Sequence, residues 1–256
     1  MADRNPPVKI VGQGRPCSPG IVTQEPLLGD DPFAELDRTM RRRPEPELMD
    51  AAEQARAYAE ADFSEPNRHF VERALEHLDA GAGRLIDLGC GPGDICVRLA
   101  RALPGWQVTG LDAGANMLAL ARAVRDEAGL REQVRLVHAR LPDHGVDERF
   151  DAVVSNSLLH HLPDPMTLWR TIRELAAPGA FVQVMDLHRP PDAATAQAVV
   201  DEYAAGEPEV LRHDFCNSLY AAWTAEEVAQ QLALAGLGAW SVSRPTDRHW
   251  LVTGCA

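Results

Sequence analysis

The chain has 256 residues, of which 45% are hydrophobic, so it can bury the core of one large domain. Its 38 acidic and 25 basic residues give a formal net charge of -13, which disfavours a protein that tracks nucleic-acid phosphates. The five scattered cysteines, without a CxxC pair, disfavour a disulfide framework or structural zinc site and favour the reducing cytoplasm, and neither a membrane span nor a secretory signal is expected.

The N-terminal part of the chain contains two regions of different composition. Residues 1–46 are rich in proline, glycine and charge, and we expect an irregular arm there. The three arginines at 41–43 are predicted to form a solvated turn, with a local basic patch as the alternative. Two helices follow, over 47–63 and over 67–80, and Asn67 is the expected N-cap of the second.

Short apolar strands alternate with amphipathic helices beyond residue 81. The predicted strands are 84–89, 106–112, 134–139, 150–156 and 180–187, and the predicted helices are 94–103, 116–129 and 164–179. This βα alternation predicts a parallel sheet with helices on both faces.

The C-terminal part departs from that alternation. An insertion at about 188–222 contains a predicted helix at 190–206 and a stretch of mixed character at 207–223. A helix over 224–237 then begins with the capping-box pair Thr224 and Glu227. The predicted strands at 239–244 and 249–254 form a hairpin that adds an antiparallel edge to the sheet.

Three glycines follow the first predicted strand. Gly89, Gly91 and Gly93 allow a ligand to approach the backbone closely, at the strand edge where open α/β sheets bind ligands. A dinucleotide fingerprint would place its third glycine where this chain has Asp94, a carboxylate that would repel a pyrophosphate. No Lys-Ser/Thr pair follows, so a P-loop is excluded. The loop therefore predicts the floor of a different ligand site.

Asp112 ends the next predicted strand. A carboxylate there can accept hydrogen bonds from both hydroxyls of a ribose. The alternative is that Asp112 caps the helix that begins near Asn116.

Four motifs in order resemble those of the class I S-adenosylmethionine-dependent methyltransferases. They are IDLGCGPG, GLD, FDAVVSNSLLHHLPDP and LAAPGAFVQVMDL, and they are most similar to the small-molecule group related to the ubiquinone and menaquinone biosynthesis methyltransferases. The resemblance covers residues 68–186, and more weakly the terminal hairpin. It implies an α/β, Rossmann-like doubly wound sheet of seven strands in the order 3-2-1-4-5-7-6, with strand 7 antiparallel.

The resemblance also implies a domain organisation. After the arm at 1–46, residues 47–80 would form a helical cap and the first core helix. Residues 81–256 would form the methyltransferase core, with a lid at about 188–222.

A cofactor site for S-adenosylmethionine follows from the same resemblance. Asp87 and the glycines would lie by its amino-acid end, Asp112 by its ribose, and Tyr58 over its sulfonium or simply packed against the core. The implied cofactor-binding residues are Tyr58, Asp87, Gly89, Cys90, Gly91, Gly93, Asp112, Ala113, Met117, Ala139, Arg140, Leu141, Ser155, Asn156 and His160.

Methyl transfer from a sulfonium needs alignment and exclusion of water rather than a metal, and no metal-binding spacing is present. Whether a base is needed depends on the acceptor. The candidate catalytic residues are His160, His161, Asp186, His188 and His213, although the paired histidines could instead order their loop. The candidate substrate-binding residues are Arg189, Asn217, Tyr220, Arg248 and His249, the last two with an ordinary polar turn as the alternative.

The favoured function is methylation of a small molecule, with release of S-adenosylhomocysteine. A macromolecule methyltransferase is the alternative, but the chain has SNSLLHH where an NPPY-type motif would be expected. A non-catalytic cofactor-binding protein and a nicotinamide-dependent dehydrogenase are less favoured functions. The fold leaves O-, N-, C- and S-methylation open. No nucleic-acid partner is expected, and the sequence is compatible with both a monomer and a homodimer.

Overall fold

The computed structural model describes residues 40–44 and 63–256. All of them belong to one compact unit, 37–256. The helices are α1 (Ser64–Leu75), α2 (Asp94–Ala102), α3 (Ala115–Glu127), α4 (Met166–Leu175), α5 (Ala193–Tyr203), α6 (Glu209–Ala221) and α7 (Ala225–Leu234). The strands are β1 (Gly83–Leu88), β2 (Trp106–Asp112), β3 (Val134–His138), β4 (Phe150–Asn156), β5 (Ala176–Leu187), β6 (Ser241–Ser243) and β7 (His249–Cys255). No helix in these described ranges is long and apolar enough to cross a membrane.

The seven strands form one sheet in the order β3-β2-β1-β4-β5-β7-β6. β1 to β5 pair in parallel, whereas β7 runs antiparallel to both β5 and β6. The predicted α/β class, strand order and antiparallel β7 are confirmed. Because parallel strands end at one edge, the loops after β1, β2, β3, β4 and β5 meet there.

Apolar side chains cover both faces of the sheet. Along β1, Ile86 and Leu88 pack into the cluster that contains Trp169 of α4, while Leu85 packs on the other face with Phe70 of α1. Side chains of a strand alternate between faces, so a parallel strand that is buried on both sides is apolar at nearly every position. The sheet thus forms a rigid floor for the loops at its carboxyl edge.

Two predicted helix boundaries are wrong. α4 ends at Leu175, and the four residues at 176–179, predicted as its last turn, are the start of β5. α1 begins at Ser64, so Asn67 is not its N-cap; its side chain instead donates to Oδ2 of Asp94 at 2.9 Å. The stretch 207–223, predicted as mixed, contains the 13-residue helix α6.

The capping box at the start of α7 is confirmed. The Thr224 side chain accepts from the Glu227 backbone N–H, and the Glu227 side chain accepts from the Thr224 backbone N–H. The predicted solvated turn at 41–43 is wrong for Arg42, which is half-buried and hydrogen-bonded to the core. The helix predicted at 47–63, up to residue 62, lies outside the described residues, so the arm, cap and lid boundaries stay predictions.

Gly110 lies in β2 below the glycine loop, and replacing it should destabilise the fold. A Cβ there would lie 2.9 Å from the Sγ atoms of both Cys90 and Cys96. We expect Gly110→Ala to lower the free energy of unfolding by about 1–3 kcal/mol, measured by urea denaturation. The control is Gly206→Ala, where a Cβ meets nothing within 4 Å and stability should change by less than about 0.5 kcal/mol. Equal stabilities of the two variants would contradict the prediction.

Candidate active site

A cavity of about 500 Å³ opens at the carboxyl edge of the sheet. Its volume lies within the range of about 300–1,000 Å³ that is usual for small-molecule sites. The glycine loop, the ends of β2 to β5, the start of α1 and one face of α6 contribute to its lining. The cavity therefore lies where the topology predicts a ligand site.

The glycine loop has a backbone that suits only glycine at three positions. Gly89, Gly91 and Gly93 have φ values of 75°, 51° and 84°. The loop is tied to β2, since the backbone N–H groups of Gly89 and Cys90 donate to the Leu111 carbonyl at 2.8 and 3.0 Å. A Cβ at Gly91 would meet nothing within 4 Å, so the backbone here borders open space in the cavity.

Asp112 orders two neighbouring loops. Its Oδ2 accepts from the Gly91 N–H at 2.8 Å, and its Oδ1 accepts from the Gly114 N–H at 2.7 Å. Gly114 is the N-cap residue of α3, so Asp112 is not at the N-cap position, but its side chain accepts from the N–H at the start of this helix. A carboxylate has about four acceptor positions, so these bonds are compatible with further donors such as ribose hydroxyls.

Asp87 is a buried carboxyl group beneath the glycine loop, with 1% of its surface exposed. Its Oδ2 accepts from the Cys96 thiol at 3.4 Å, and its Oδ1 has no hydrogen-bond partner among the described residues. Burial raises the pKa of Asp87 to about 7, the thiol bond opposes this rise, and the charge of Asp112 adds to it. The site thus holds a carboxyl group that a nearby cation would favour in its ionised form.

His160 and Asp186 form a buried pair in the cavity wall, with 3% and 1% of their surfaces exposed. Nδ1 of His160 lies 2.5 Å from Oδ1 of Asp186, and the His160 backbone N–H donates to Oδ2 at 3.1 Å. Burial would raise the pKa of Asp186, but the His160 ring and the backbone N–H groups of Leu187 and His160 hold it below its usual value. A neutral His160 ring that donates through Nδ1 carries its acceptor lone pair on Nε2.

His249, at the start of β7, also lines the cavity, as does His161 next to His160. Burial, and then the charge of Arg248, lower the pKa of His249 to about 4, so its ring is neutral at pH 7. Its Nδ1 lies 2.9 Å from Oγ1 of Thr246. The Arg248 guanidinium stacks over the Tyr203 ring at 3.4 Å, which joins β7 to the end of α5. Arg248 and His249 are therefore part of the cavity wall and do not form an exposed polar turn.

The structure brings most of the predicted residues together around the cavity. Those in its lining are Gly89, Gly91, Asp112, Ala113, Met117, Ala139, Arg140, Leu141, Asn156, His160, His161, Arg248 and His249. Asp87, Cys90, Gly93, Ser155 and Asp186 support this lining from behind without being part of it. Tyr58 lies outside the described residues.

Five further predicted residues are also absent from the cavity lining. Arg189 is committed to the Glu227 carboxylate at 2.6 Å and the Ala222 carbonyl at 2.9 Å. His188 is buried, and burial followed by the charge of Arg244 lowers its pKa. The remaining three, His213, Asn217 and Tyr220, lie on α6.

The sequence analysis missed the face of α6 that borders the cavity. This face consists of Leu211, Asp214, Phe215 and Ser218, at the spacing i, i+3, i+4, i+7. The helical period was available as a signal, but the mixed character of the segment masked it. The cavity-lining residues Glu65, Pro66 and Asn67 at the start of α1 were missed as well.

Comparison with known proteins agrees with this geometry. A family model described as a methyltransferase domain matches residues 86–182, from β1 to β5. A solved S-adenosylmethionine-dependent methyltransferase from Aquifex aeolicus superposes with a TM-score of 0.58 at 17% identity, over 78% of this chain and 97% of that one. At this identity the likeness shows the fold alone.

Two relatives are closer in sequence. The ubiquinone biosynthesis O-methyltransferase of Pseudomonas putida strain F1 is 30% identical over 179 residues, which are 68% of this chain and 75% of that protein. Its counterpart from Stutzerimonas stutzeri is 33% identical over 140 residues, and the match covers 55% of this chain and 60% of that protein. The chain therefore belongs to the class I S-adenosylmethionine-dependent methyltransferases, in the group related to ubiquinone biosynthesis O-methyltransferases.

The cavity fits the cofactor of this family, S-adenosylmethionine. Two buried acceptor atoms have no hydrogen-bond partner in the described parts of the chain, Oδ1 of Asp87 and Oδ1 of Asn156. Both lie at strand ends beside the glycine loop, where they suit the ammonium group of the cofactor. The open space above Gly91 leaves room for the ligand itself.

Replacing Asp186 should destabilise the fold in a pH-dependent way. Because its pKa is lowered on folding, ionised Asp186 stabilises the protein above pH 4, and this contribution is lost as the pH falls below about 4. We expect Asp186→Asn to lower the free energy of unfolding at pH 7 by about 3 kcal/mol, since it breaks a buried pair. Urea denaturation at pH 7, 5 and 3 measures the difference, which should shrink at pH 3.

The matched control is Asp147→Asn, an exposed carboxylate for which no hydrogen bond is found in the described structure. Its stability should stay within about 0.5 kcal/mol of the wild type at each pH. A loss in Asp186→Asn no greater than in this control would refute the prediction.

Proposed function

We propose that the protein methylates a hydroxyl group of a small, largely apolar acceptor, with His160 as the base that removes the hydroxyl proton. The observation that carries this proposal is the buried pair of His160 and Asp186 in the cavity wall. The O-methyltransferase names of the two bacterial relatives support a hydroxyl acceptor.

The acceptor half of the cavity favours an apolar molecule. Met185 and Leu187 of β5 and Leu211 and Phe215 of α6 line the cavity, and Leu187 and Phe215 belong to one apolar cluster. The same face of α6 also carries two polar side chains, Asp214 and the buried Ser218. Such walls exclude water and leave the chemistry to a small number of placed polar atoms.

Three histidines line the cavity, His160, His161 and His249, and His160 is a stronger base than His249. The Asp186 carboxylate stays ionised and stabilises the positive charge that the His160 ring gains with a proton. His249 has the neighbouring Arg248 charge instead, and its pKa of about 4 makes it a weak base. S-Adenosylmethionine supplies a methyl group on a sulfonium, so deprotonation and alignment of the acceptor are the tasks left to the protein.

The acidic composition supports a small-molecule partner over nucleic acid, and the free thiols Cys90, Cys96, Cys216 and Cys255 support a reducing cytoplasmic location. Both are part of the proposal.

The choice of acceptor atom can be tested with three matched probes. 2-Naphthol, 2-naphthylamine and 2-naphthalenethiol present a hydroxyl, an amine and a thiol on the same apolar ring. With methyl-labelled S-adenosylmethionine, we expect label in the product of 2-naphthol, and a loss of about 100-fold in His160→Asn because proton removal contributes about that much. His249→Asn should retain most of the activity.

The same labelled cofactor, added to a cell extract, identifies the natural acceptor. Label in the small-molecule fraction, lost in an Asp112→Ala variant, is the expected result. Label confined to protein or RNA would contradict a small-molecule acceptor. Preference for the amine or thiol probe, or full activity of His160→Asn, would contradict hydroxyl methylation by this base.

Cofactor binding should depend on pH through Asp87, which we propose accepts from the ammonium group of the cofactor. In the free protein its pKa is about 7, so binding of the cationic amine should release a proton and strengthen as the pH rises. We expect S-adenosylhomocysteine to bind about tenfold more weakly at pH 6 than at pH 8, measured by isothermal titration calorimetry.

Asp87→Asn should bind more weakly at both pH values and lose this dependence, while the Asp147→Asn control should keep it. Equal affinities of the wild type at pH 6 and pH 8 would show that Asp87 does not take this role.

A further inference from the structure

Residues 40–43, which we call the arginine strap, lie against the cavity from outside. The Met40 N–H donates to the Pro191 carbonyl at 2.8 Å, and the Arg43 N–H donates to the Tyr220 carbonyl at 2.9 Å. The Met40 side chain packs on the small apolar cluster formed by α5 and α6. The strap therefore joins the chain after β5 to the C-terminal end of α6.

Arg42 makes the central contacts of the strap. Its Nε donates to the Ala221 carbonyl at 2.7 Å, and one terminal guanidinium nitrogen donates to the His160 carbonyl at 3.0 Å. Its guanidinium also stacks on the Trp223 ring, 4.1 Å from the ring centroid. Both carbonyls lie in a last helical turn, Ala221 at the end of α6 and His160 in the short 3-10 turn 159–161. Such carbonyls lack a partner within their own helix, which makes them natural acceptors for a guanidinium.

The two carbonyls belong to two different elements that line the same cavity. α6 contributes Ser218 and Phe215 to the lining, the 3-10 turn contributes His160, and the two elements pack against each other. The planar guanidinium fork fixes the distance between these two backbones, which a single-point donor cannot do as well. His160 is thus held by Asp186 at its ring and its N–H, and by Arg42 at its carbonyl.

We propose that Arg42 is a positioning residue that sets the orientation of His160 in the cavity and couples it to α6. Its contribution to the rate rests on the proposed function of His160 as a base, whereas its effect on the geometry of His160 does not. Arg42 acts through the backbone and need not touch either substrate.

Nuclear magnetic resonance of the imidazole nitrogens tests the positioning directly. The protein is labelled with 15N-histidine and saturated with S-adenosylhomocysteine, and the His160 signals are assigned by their absence in His160→Asn. In Arg42→Ala these signals should move, and in Arg42→Lys, which keeps one donor without the fork, they should move less. Arg41→Ala removes a neighbouring exposed arginine and should leave them in place.

Kinetics with 2-naphthol then separates positioning from a general loss of structure. We expect Arg42→Ala to lower kcat about tenfold or more, with the KM for S-adenosylmethionine within about twofold of the wild type. Arg42→Lys should lie between the two. In a His160→Asn background, Arg42→Ala should have little further effect, because residues that act through one another are not additive.

Unmoved His160 signals in folded Arg42→Ala or Arg42→Lys would overturn the proposal, as would equal losses of kcat from Arg42→Ala with and without His160. Moved signals together with full activity of His160→Asn would leave the positioning in place and reject the base role instead. Circular dichroism confirms that each variant is folded.

Discussion

The buried hydrogen bond between His160 and Asp186 is the interaction on which the cavity depends. An ionised carboxylate with 1% exposure is stable only when donors surround it, and here the donors come from the His160 ring, the His160 N–H and the Leu187 N–H. They belong to the loop after β4 and the end of β5. If either segment moved, the buried Asp186 carboxylate would lose its donors, at a cost of several kcal/mol. The loop after β4 and the end of β5 therefore keep a fixed distance from each other.

In the cofactor half of the cavity, by contrast, the buried Asp87 carboxyl group accepts a hydrogen bond on only one of its oxygens within the described structure. Asp87 and Asp112 lie near the ends of adjacent strands, and burial of Asp87, together with the charge of Asp112, disfavours ionisation of Asp87. Ionisation of Asp87 therefore costs free energy in the protein without its ligand. A ligand that carries an ammonium and a sulfonium stabilises the negative charge of the two carboxylates. The same carboxylates therefore favour this cofactor over an anionic dinucleotide.

How much was predictable from the sequence differs between the two halves. The cofactor half lies at strand ends and glycine turns, and these landmarks are set by the βα alternation, so Gly91 and Asp112 were predicted at the correct edge. The acceptor half depends on which face of a helix is turned inward. Successive side chains on a helix point in directions about 100° apart, so an error of one residue changes the face. The sequence analysis chose His213, which is exposed, whereas its neighbour Asp214 lines the cavity. The Arg42 contacts join residues more than 100 positions apart, and no local pattern indicates them.

The turn that carries His160 is formed by its surroundings and not by its own preferences. Ser157, the residue that leads into it, has a φ of 57°, which costs a residue with a side chain of the order of 1 kcal/mol. The Ser157 N–H donates to the Met185 carbonyl at 2.9 Å, so β5 stabilises this strained residue. The next residue of β5, Asp186, binds the His160 ring. Arg42 contacts the same turn through the His160 carbonyl. Two contacts from β5 and one from Arg42 therefore determine one short segment, and His160 can be in place only when the whole fold, the strap included, is complete.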